Sequence, residues 1–435
     1  MAGSTPAATL ATMRTIFLLL TLVTAVPFNA QAFSVLAHQG VVDRAWDDAI
    51  VPAIRERFPS AGSEELVRAR AFAYGGSHIA DLGYFPLGNV FFTDLIHYVR
   101  SGDFVEAMLD EAENPDEYAF ALGALSHYVA DDTGHPEATN RVVPELYPKL
   151  REKFGDSVTY DDDHSSHLQT EFRFDVLQVA RSKQPQGLYD HAIAFEVSKP
   201  VLERAFLRTY GLRLDDVFAN TDVAITTYRW AFREVMHEAT GIAWELYRAD
   251  IQKGDPEATP AGFVFDMSRG DFEEKFGDAY ERPGYFARAF AFVVNLVPDV
   301  GPLKRLPYQP LPESAQQRFV HALDRAATRY QIAVHDARMK RLRLRDETLD
   351  TGRPTAPGEY APADEAYAEL LAHLQERGFA DVSPELRADI LRFYSTGRAL
   401  AAIDDDDEQA EVRDALTRLD AQPPETPSRA RAPRG

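Results

Sequence analysis

The chain has no cysteine. This absence excludes disulfide bonds, thiolate zinc sites and a cysteine nucleophile, so any metal must be bound by His, Asp, Glu or backbone atoms. The chain also lacks any run of about 18 consecutive apolar residues, the length that a membrane-spanning helix needs. The nearest approach after the N-terminus is residues 286–297, which Arg288 and Asn295 interrupt.

Basic residues are scarce relative to acidic ones. The sequence has 46 Lys and Arg against 68 Asp and Glu, which gives a net charge of −22. Such a surface repels nucleic acid and anionic lipid at long range, so we predict no duplex nucleic acid partner. Hydrophobic residues make up 45% and charged residues 26%, values typical of a folded globular protein. A length of 435 residues predicts two units.

The N-terminus has the pattern of an export signal. Arg14 precedes an apolar run over residues 16–26, and Ala30-Gln31-Ala32 fits the small-residue rule for signal cleavage. We therefore predict a signal peptide over residues 1–32, a mature chain that begins at Phe33, and a periplasmic or secreted protein. The alternative is an uncleaved anchor or a buried helix.

Helical periodicity dominates the rest of the chain, and strand signals are few and short, so we predict an all-α fold. Gly75-Gly76 should end the second helix, and a capping box at Ser166 and Gln169 should begin the fourth. A Gly- and Pro-containing stretch at 254–262 separates two predicted parts. These are an N-terminal domain over 33–250 and a mainly helical C-terminal region over 263–421, with a linker at 351–362 and a disordered tail over 422–435.

The most informative motif sets His127, Asp131 and His135 four residues apart. On a helix this spacing places the three side chains on one stripe, and imidazole with carboxylate suits zinc. Gly134 and Pro136 follow directly, and they predict that the helix breaks there and turns His135 away from the stripe.

Further candidate ligands lie on both sides of this motif. Eight of the twelve histidines fall between His38 and His191. A surface ion pair is the ordinary explanation for an isolated His–Glu pair at i,i+4, but several such groups in one cysteine-free helical half favour a multinuclear zinc site. The candidates outside the motif are His38, His78, Asp81, His97, His164, His167 and Glu171.

The order of these residues resembles the zinc-dependent phospholipase C family, whose relatives include glycosylphosphatidylinositol phospholipase D and the fungal single-strand nucleases. The resemblance covers roughly residues 33–247. The spacings His127-x3-Asp131 and His167-x3-Glu171 are its most specific elements. Residues 78–86 and 94–98 are closer to the phospholipase branch than to the nuclease branch.

The resemblance implies three zinc ions. The first would be held by the amine and carbonyl of Phe33 with His38 and Asp131. The second would be held by Asp81, His97, His127 and, as a bridge, Asp131. The third would be held by His135, His167 and Glu171.

The chain departs from the family pattern at several positions. Phe33 stands where the family usually has Trp, and Ala80 stands where it usually has Pro. The gap from Asp131 to His135 is also shorter than usual, and His164 competes with His167 as the third-site ligand.

The implied reaction is hydrolysis of a phosphodiester by water that the metals activate, with Asp81 as the general base. Asp132 either orients a ligand histidine or caps the helix end. Four aromatic residues, Tyr84, Phe85, Phe91 and Phe92, either line an apolar wall for substrate or pack in the core.

Three functions compete at this stage. The first is a phospholipase C-like phosphodiesterase acting on a phospholipid or another phosphodiester. The second is a nuclease or nucleotidase of the same fold, and the third is a non-catalytic metal-binding surface protein. The C-terminal half has no motif that can be tied to chemistry. Residues 286–297 are a candidate for peripheral membrane contact.

Overall fold

The protein is built almost entirely from helices, and the all-α prediction is confirmed. The computed structural model describes residues 34–85, 87–181, 195–254, 258–263 and 311–421. The predicted signal peptide, Phe33, residues 286–297 and the tail at 422–435 lie outside these ranges. Within the described ranges, no helix combines the length and the apolar character that crossing a membrane would take.

The N-terminal half carries the first thirteen helices that we number. They are α1 (Val35–Ala45), α2 (Val51–Arg57), α3 (Ser63–His78), α4 (Val90–Tyr98), α5 (Ser101–Glu111), α6 (Pro115–Gly134), α7 (Asn140–Leu146), α8 (Pro148–Phe154), α9 (His164–Arg181), α10 (Lys199–Tyr210), α11 (Leu214–Val217), α12 (Thr221–Gly254) and α13 (Pro260–Phe263). A 3₁₀ segment, Ile79–Tyr84, follows α3, and two π-helical turns occur at Trp46–Ile50 and His135–Thr139.

The C-terminal part continues with a long helix, a small hairpin and four more helices. The hairpin pairs β1 (Glu347–Thr348) with β2 (Arg353–Pro354) in antiparallel register. The helices are α14 (Glu313–Arg338), α15 (Ala361–Glu376), α16 (Pro384–Tyr394), α17 (Arg398–Ala402) and α18 (Asp406–Ala421). The region at 351–362, predicted as a linker, instead contains the buried Tyr360. Helix α14 packs against α6 and α1.

Helix α6 lies at the centre of the fold. Its N-terminus is capped by Asn114, whose side-chain oxygen accepts the N–H of Glu117 at 3.0 Å. Every residue from Glu117 to Gly134 is buried, and α3, α5, α14 and α1 all pack around it. A helix that is buried on all sides has no solvent-exposed face, so the polar side chains of α6 must find their partners inside the protein.

Glycines allow α3 to lie unusually close to α6. A Cβ on Gly76 would lie 1.9 Å from the carbonyl oxygen of Phe120, and one on Gly123 would lie 2.1 Å from that of Ala73. The prediction that Gly75-Gly76 ends α3 is therefore wrong, because α3 continues to His78. These glycines serve close helix packing, which here outweighs their low helix propensity.

Two further helix boundaries differ from the predictions. The break at Gly134 and Pro136 does not occur, since α6 continues through the π-helical turn into α7 and His135 has helical angles, φ −60° and ψ −59°. The π-turn widens the helix where a proline ring would collide with a preceding carbonyl. Helix α9 begins at His164, because Asp163 rather than Ser166 supplies the capping acceptor, at 2.8 Å from the N–H of Ser166.

The close α3–α6 contact predicts an asymmetric response to alanine. Gly123→Ala should lower the free energy of unfolding by about 3 kcal/mol or more, because the new methyl group collides with backbone that cannot move aside. Gly241→Ala is the matched control in α12, since no heavy atom of the described residues, apart from the backbone of its own helix, lies within 4 Å of its Cβ position. It should gain about 1 kcal/mol from helix propensity. Urea unfolding measures both, and equal midpoints for Gly123→Ala and wild type would contradict the packing argument.

Candidate metal centre

The carboxylate of Asp131 lies among four imidazoles. Its Oδ1 is 3.1 Å from His38 Nε2 and 3.4 Å from His135 Nε2, and its Oδ2 is 3.0 Å from His127 Nε2 and 3.3 Å from His97 Nε2. All five side chains are buried. Helices α1, α4 and α6 and the following π-turn therefore deliver imidazoles to a single carboxylate in the protein interior.

Backbone carbonyls determine which nitrogens of His97 and His127 carry protons. His97 Nδ1 lies 2.9 Å from the carbonyl of Thr93, and His127 Nδ1 lies 3.0 Å from that of Ser77. A carbonyl only accepts, so each Nδ1 donates and each Nε2 presents a lone pair. The two Nε2 atoms are 3.1 Å apart. Two nitrogen lone pairs that face each other at this distance repel each other, and the arrangement becomes favourable when a cation between them binds both.

Asp81 joins this pair from the 3₁₀ segment after α3. Its Oδ1 lies 3.6 Å from His97 Nε2 and has no hydrogen-bond partner among the described residues, although Asp81 is only 2% exposed. Because α3 continues past Gly76, the 3₁₀ segment starts beside α6 and brings Asp81 to His97 and His127. The geometry thus groups Asp81, His97 and His127, as the family resemblance implies.

His38 enters the cluster from α1. Its ring stacks on that of His127 with centroids 4.4 Å apart, and neither of its nitrogens has a hydrogen-bond partner in the part of the chain that the structure describes. Phe33, the other predicted ligand on this side, lies outside the described residues. The residue after it is held in place, because Ser34 Oγ donates to Asp175 Oδ1 at 2.5 Å and the N–H of Leu36 donates to the same oxygen at 2.7 Å.

A third group of candidate ligands, His135, His167 and Glu171, begins one helical turn beyond Asp131. Glu171 Oε1 is 2.9 Å from His167 Nδ1 and 3.8 Å from His135 Nε2. His135 reaches this position while it remains on the α6 stripe, so the shorter gap after Asp131 does not prevent it from meeting His167. His167 is buried in the centre, whereas the competing His164 is exposed and packs edge-on against Tyr160. The geometry therefore favours His167.

Two polar residues that the sequence did not single out contact the third group. Asn140 Oδ1 lies 2.9 Å from His167 Nε2, and Asp350 Oδ1 lies 3.3 Å from His135 Nδ1. Asn140 begins α7, five residues after His135, so its closeness to that histidine in the sequence is a local signal. Asp350 lies more than 200 residues from His135 in the chain, so no local pattern connects the two.

Burial and the attraction between neighbouring charged groups shift the pKa values of the cluster in different directions. Burial would raise the pKa of Asp131, but His127, His135 and His38 hold it well below its usual range. Burial would lower the pKa of His135, but Asp131, Asp350 and Glu171 raise it to about 9. Burial lowers the pKa of His127 to about 4. Burial, together with His135, lowers that of His167 to about 3.

Zinc fits this donor set. Three groups place one ligand atom from each member within 4.8 Å of the others: His38 with His127 and Asp131, Asp81 with His97 and His127, and His135 with His167 and Glu171. Within the described ranges, the buried nitrogens of His38 and His135 have no hydrogen-bond partner, which is costly unless a metal ion binds them. Neutral imidazoles with carboxylates are ligands that zinc prefers.

Asp132 and the four nearby aromatic residues are not all part of the centre. Asp132 pairs with Arg329 of α14, and among the described residues no hydrogen bond joins it to a ligand histidine or to an N–H at a helix end. Phe85 packs on Tyr228, Phe92 packs on Phe206 and Phe218, and Phe91 stacks on His373, which is core packing. Tyr84 alone of the four lies beside a candidate ligand, with its ring 6.2 Å from that of His97.

Comparison with known proteins identifies one family. Residues 37–220 match the model of a family described as zinc dependent phospholipase C. No curated protein and no solved structure matches the chain. The matched region contains every described residue of the three groups, from His38 to Glu171.

The raised pKa of His135 predicts how the stability of metal-free protein depends on pH. The pKa of about 9 in the folded state exceeds the ordinary value of about 6.5. Protonated His135 therefore contributes stability that is fully present below pH 6.5 and is lost as the pH rises through 9. The contribution is on the order of 3 kcal/mol.

Denaturant unfolding of chelator-treated protein between pH 6 and 10 measures this effect. Wild type should lose more stability than His135→Gln over that range, because the variant lacks the titrating imidazole. The exposed His164→Gln is the control and should follow wild type. Parallel curves for wild type and His135→Gln would contradict the assignment of the proton.

Proposed function

The chain belongs over residues 37–220 to the zinc-dependent phospholipase C family, and from this premise we propose that it is a zinc-dependent hydrolase of phosphodiesters that acts on phospholipids. One observation carries the proposal: Asp131 is buried among four imidazole Nε2 atoms that are 3.0–3.4 Å from its oxygens. Such a cluster is costly to bury in a core that serves packing alone, whereas a multinuclear metal centre is built from ligands of this kind.

The proposed ligands form three zinc sites, the first two of which share Asp131. Phe33 and His38 with Asp131 would hold the first zinc, Asp81, His97 and His127 with Asp131 the second, and His135, His167 and Glu171 the third. When bound, zinc polarises phosphoryl oxygens, acidifies water and neutralises charge on a leaving oxygen.

Asp81 is the proposed general base. Burial and the nearby Asp131 raise the pKa of its carboxyl well above the usual range in the metal-free protein, and a carboxylate beside bound metals can take the proton of a water molecule. Its position on the short 3₁₀ segment between α3 and α4 is rigid, because Thr93 accepts the N–H of Gly83 at 2.9 Å and donates to the carbonyl of Ala80 at 2.6 Å. The backbone that carries Asp81 is thereby attached to α4, and the carboxylate lies 3.6 Å from His97 Nε2.

We also propose that the protein is exported and that signal removal creates the amine of Phe33 as a ligand. The support is the hydrogen-bonded start of α1, where Asp175 accepts from Ser34 and Leu36 and so fixes the backbone one residue after Phe33. Asp175 lies one helical turn after Glu171 in α9. The same helix would therefore supply a third-site ligand and anchor the segment that leads to the first site.

Native mass spectrometry of protein purified without chelator tests the centre and the mature N-terminus together. We expect a chain that begins at Phe33 and carries about three zinc ions, by analogy with the family. Asp131→Asn should lose at least one zinc ion and all turnover, because one oxygen becomes an amide nitrogen that cannot bind metal.

Asp132→Asn is the matched control for this experiment. It makes the same change one residue along α6, at a carboxylate that pairs with Arg329 instead of with the histidines. It should keep its zinc and its activity. A wild-type metal content near zero, or near-normal turnover by Asp131→Asn, would refute the proposed centre.

The substrate class is tested by direct comparison of two phosphodiesters. Zinc-loaded protein should release phosphocholine from phosphatidylcholine and leave single-stranded DNA intact, since a surface of net charge −22 opposes the approach of a polyanion. Cleavage of DNA alone would assign the protein to the nuclease branch. Bound zinc without hydrolysis of either compound would instead favour a non-catalytic metal-binding protein.

A further inference from the structure

The segment that carries Asp350 lies outside the family match and yet packs directly on the metal centre. Asp350 occupies the turn of the hairpin between β1 and β2. The N–H of Leu349 donates to the carbonyl of His97 at 3.1 Å, and Ser101 Oγ donates to the carbonyl of Glu347 at 2.8 Å. The hairpin is therefore attached to the backbone of a candidate ligand.

The side chain of Asp350 is fully buried and is held in one orientation. Its Oδ2 accepts hydrogen bonds from the hydroxyls of Tyr98, at 2.9 Å, and Tyr360. Its Oδ1 has no hydrogen-bond partner among the described residues and lies 3.3 Å from His135 Nδ1. A buried carboxylate with a free oxygen is costly to maintain, so its position beside an imidazole calls for a functional explanation.

The tautomer of His135 supplies that explanation. Nε2 of His135 faces Asp131 and Glu171, so this nitrogen must bear a lone pair if it is to bind zinc. Nδ1 must then carry the proton, and Asp350 Oδ1, which lies 3.3 Å away, would accept its hydrogen bond when zinc binds Nε2. A carboxylate behind a metal-bound histidine fixes the ring and raises its basicity.

The backbone of Asp350 orients the second imidazole of the same group. Asn140 Nδ2 donates to the carbonyl of Asp350 at 2.6 Å. This bond turns the amide so that its oxygen faces His167 Nε2 at 2.9 Å. Nε2 of His167 therefore carries the proton, and Nδ1 faces Glu171 with a free lone pair.

We propose that Asp350 is a positioning residue for the third zinc site, acting on His135 through its carboxylate and on His167 through its carbonyl and Asn140. The inference rests on the proposed function, because it assigns Asp350 to a site that the proposal fills with zinc. It also assigns a role to the C-terminal half, which completes a centre whose ligands all lie in the N-terminal half.

Asp350→Asn is the sharpest test in the full-length protein. The asparagine oxygen can still accept from the two tyrosines, which leaves its amide N–H₂ facing His135 and favours the tautomer with a proton on Nε2. We expect one zinc ion to bind about 10- to 100-fold more weakly while the other two are retained. Competition with a zinc chelator measures the affinity, and cobalt substitution should show altered absorption for one site only.

Asp389→Asn is the matched control, since Asp389 is a buried C-terminal carboxylate that accepts from the hydroxyl of Tyr367 at 2.8 Å and pairs with Arg392. It should bind zinc as wild type does. Unchanged affinity and cobalt spectrum in Asp350→Asn would overturn the proposal. Wild-type protein that binds no zinc would instead overturn the metal centre as a whole.

Tyr360→Phe covers the outcome in which Asp350→Asn does not fold. It keeps the carboxylate and removes one of the two hydroxyls that hold it, so one zinc ion should bind several-fold more weakly. Zinc affinity equal to wild type in folded Tyr360→Phe, when Asp350→Asn is unfolded, would overturn the positioning role. Circular dichroism of the metal-free variants establishes which case applies.

Discussion

The structure depends on the burial of Asp131. Taking a carboxylate out of water costs several kcal/mol unless charged or hydrogen-bonding partners surround it. Here imidazoles from α1, α4, α6 and the π-turn meet both of its oxygens within 3.4 Å. Asp81, Glu171 and Asp350 add further buried carboxylates nearby, so the cluster gains most from cations at its centre. The arrangement of these helices therefore supplies the partners that a buried carboxylate needs.

Packing and chemistry are coupled along α6. The glycine contact between α3 and α6 places the end of α3 one turn from His127, where the carbonyl of Ser77 fixes the tautomer of that histidine. The same approach starts the 3₁₀ segment that carries Asp81. A larger residue at Gly123 would thus separate the helices and also move a ligand and a tautomer-setting carbonyl, so these core glycines have consequences at the centre.

The helices and most candidate ligands could be predicted because their signals are local. Spacings of four residues identify His127, Asp131, His167 and Glu171, and helical periodicity predicts the fold class. The errors arose where tertiary contacts overrode local rules: Gly76 packs against a backbone rather than ending α3, and a π-turn accommodates Pro136. Asp350 could not be predicted, because its relation to His135 exists only after the C-terminal hairpin has folded onto α4 and α6.

The participation of Asp350 changes how the two halves of the chain relate. Candidate ligands from His38 to Glu171 lie within the family match, but two of their imidazoles are oriented by a residue beyond it. Metal binding then stabilises the C-terminal hairpin as well as the N-terminal helices, because the free energy of binding a metal to a site that exists only in the folded state is also free energy of folding. The hairpin is held by hydrogen bonds to Ser101, Asn140 and His97. The hairpin therefore lines the centre, and the geometry of the centre depends on both halves of the chain.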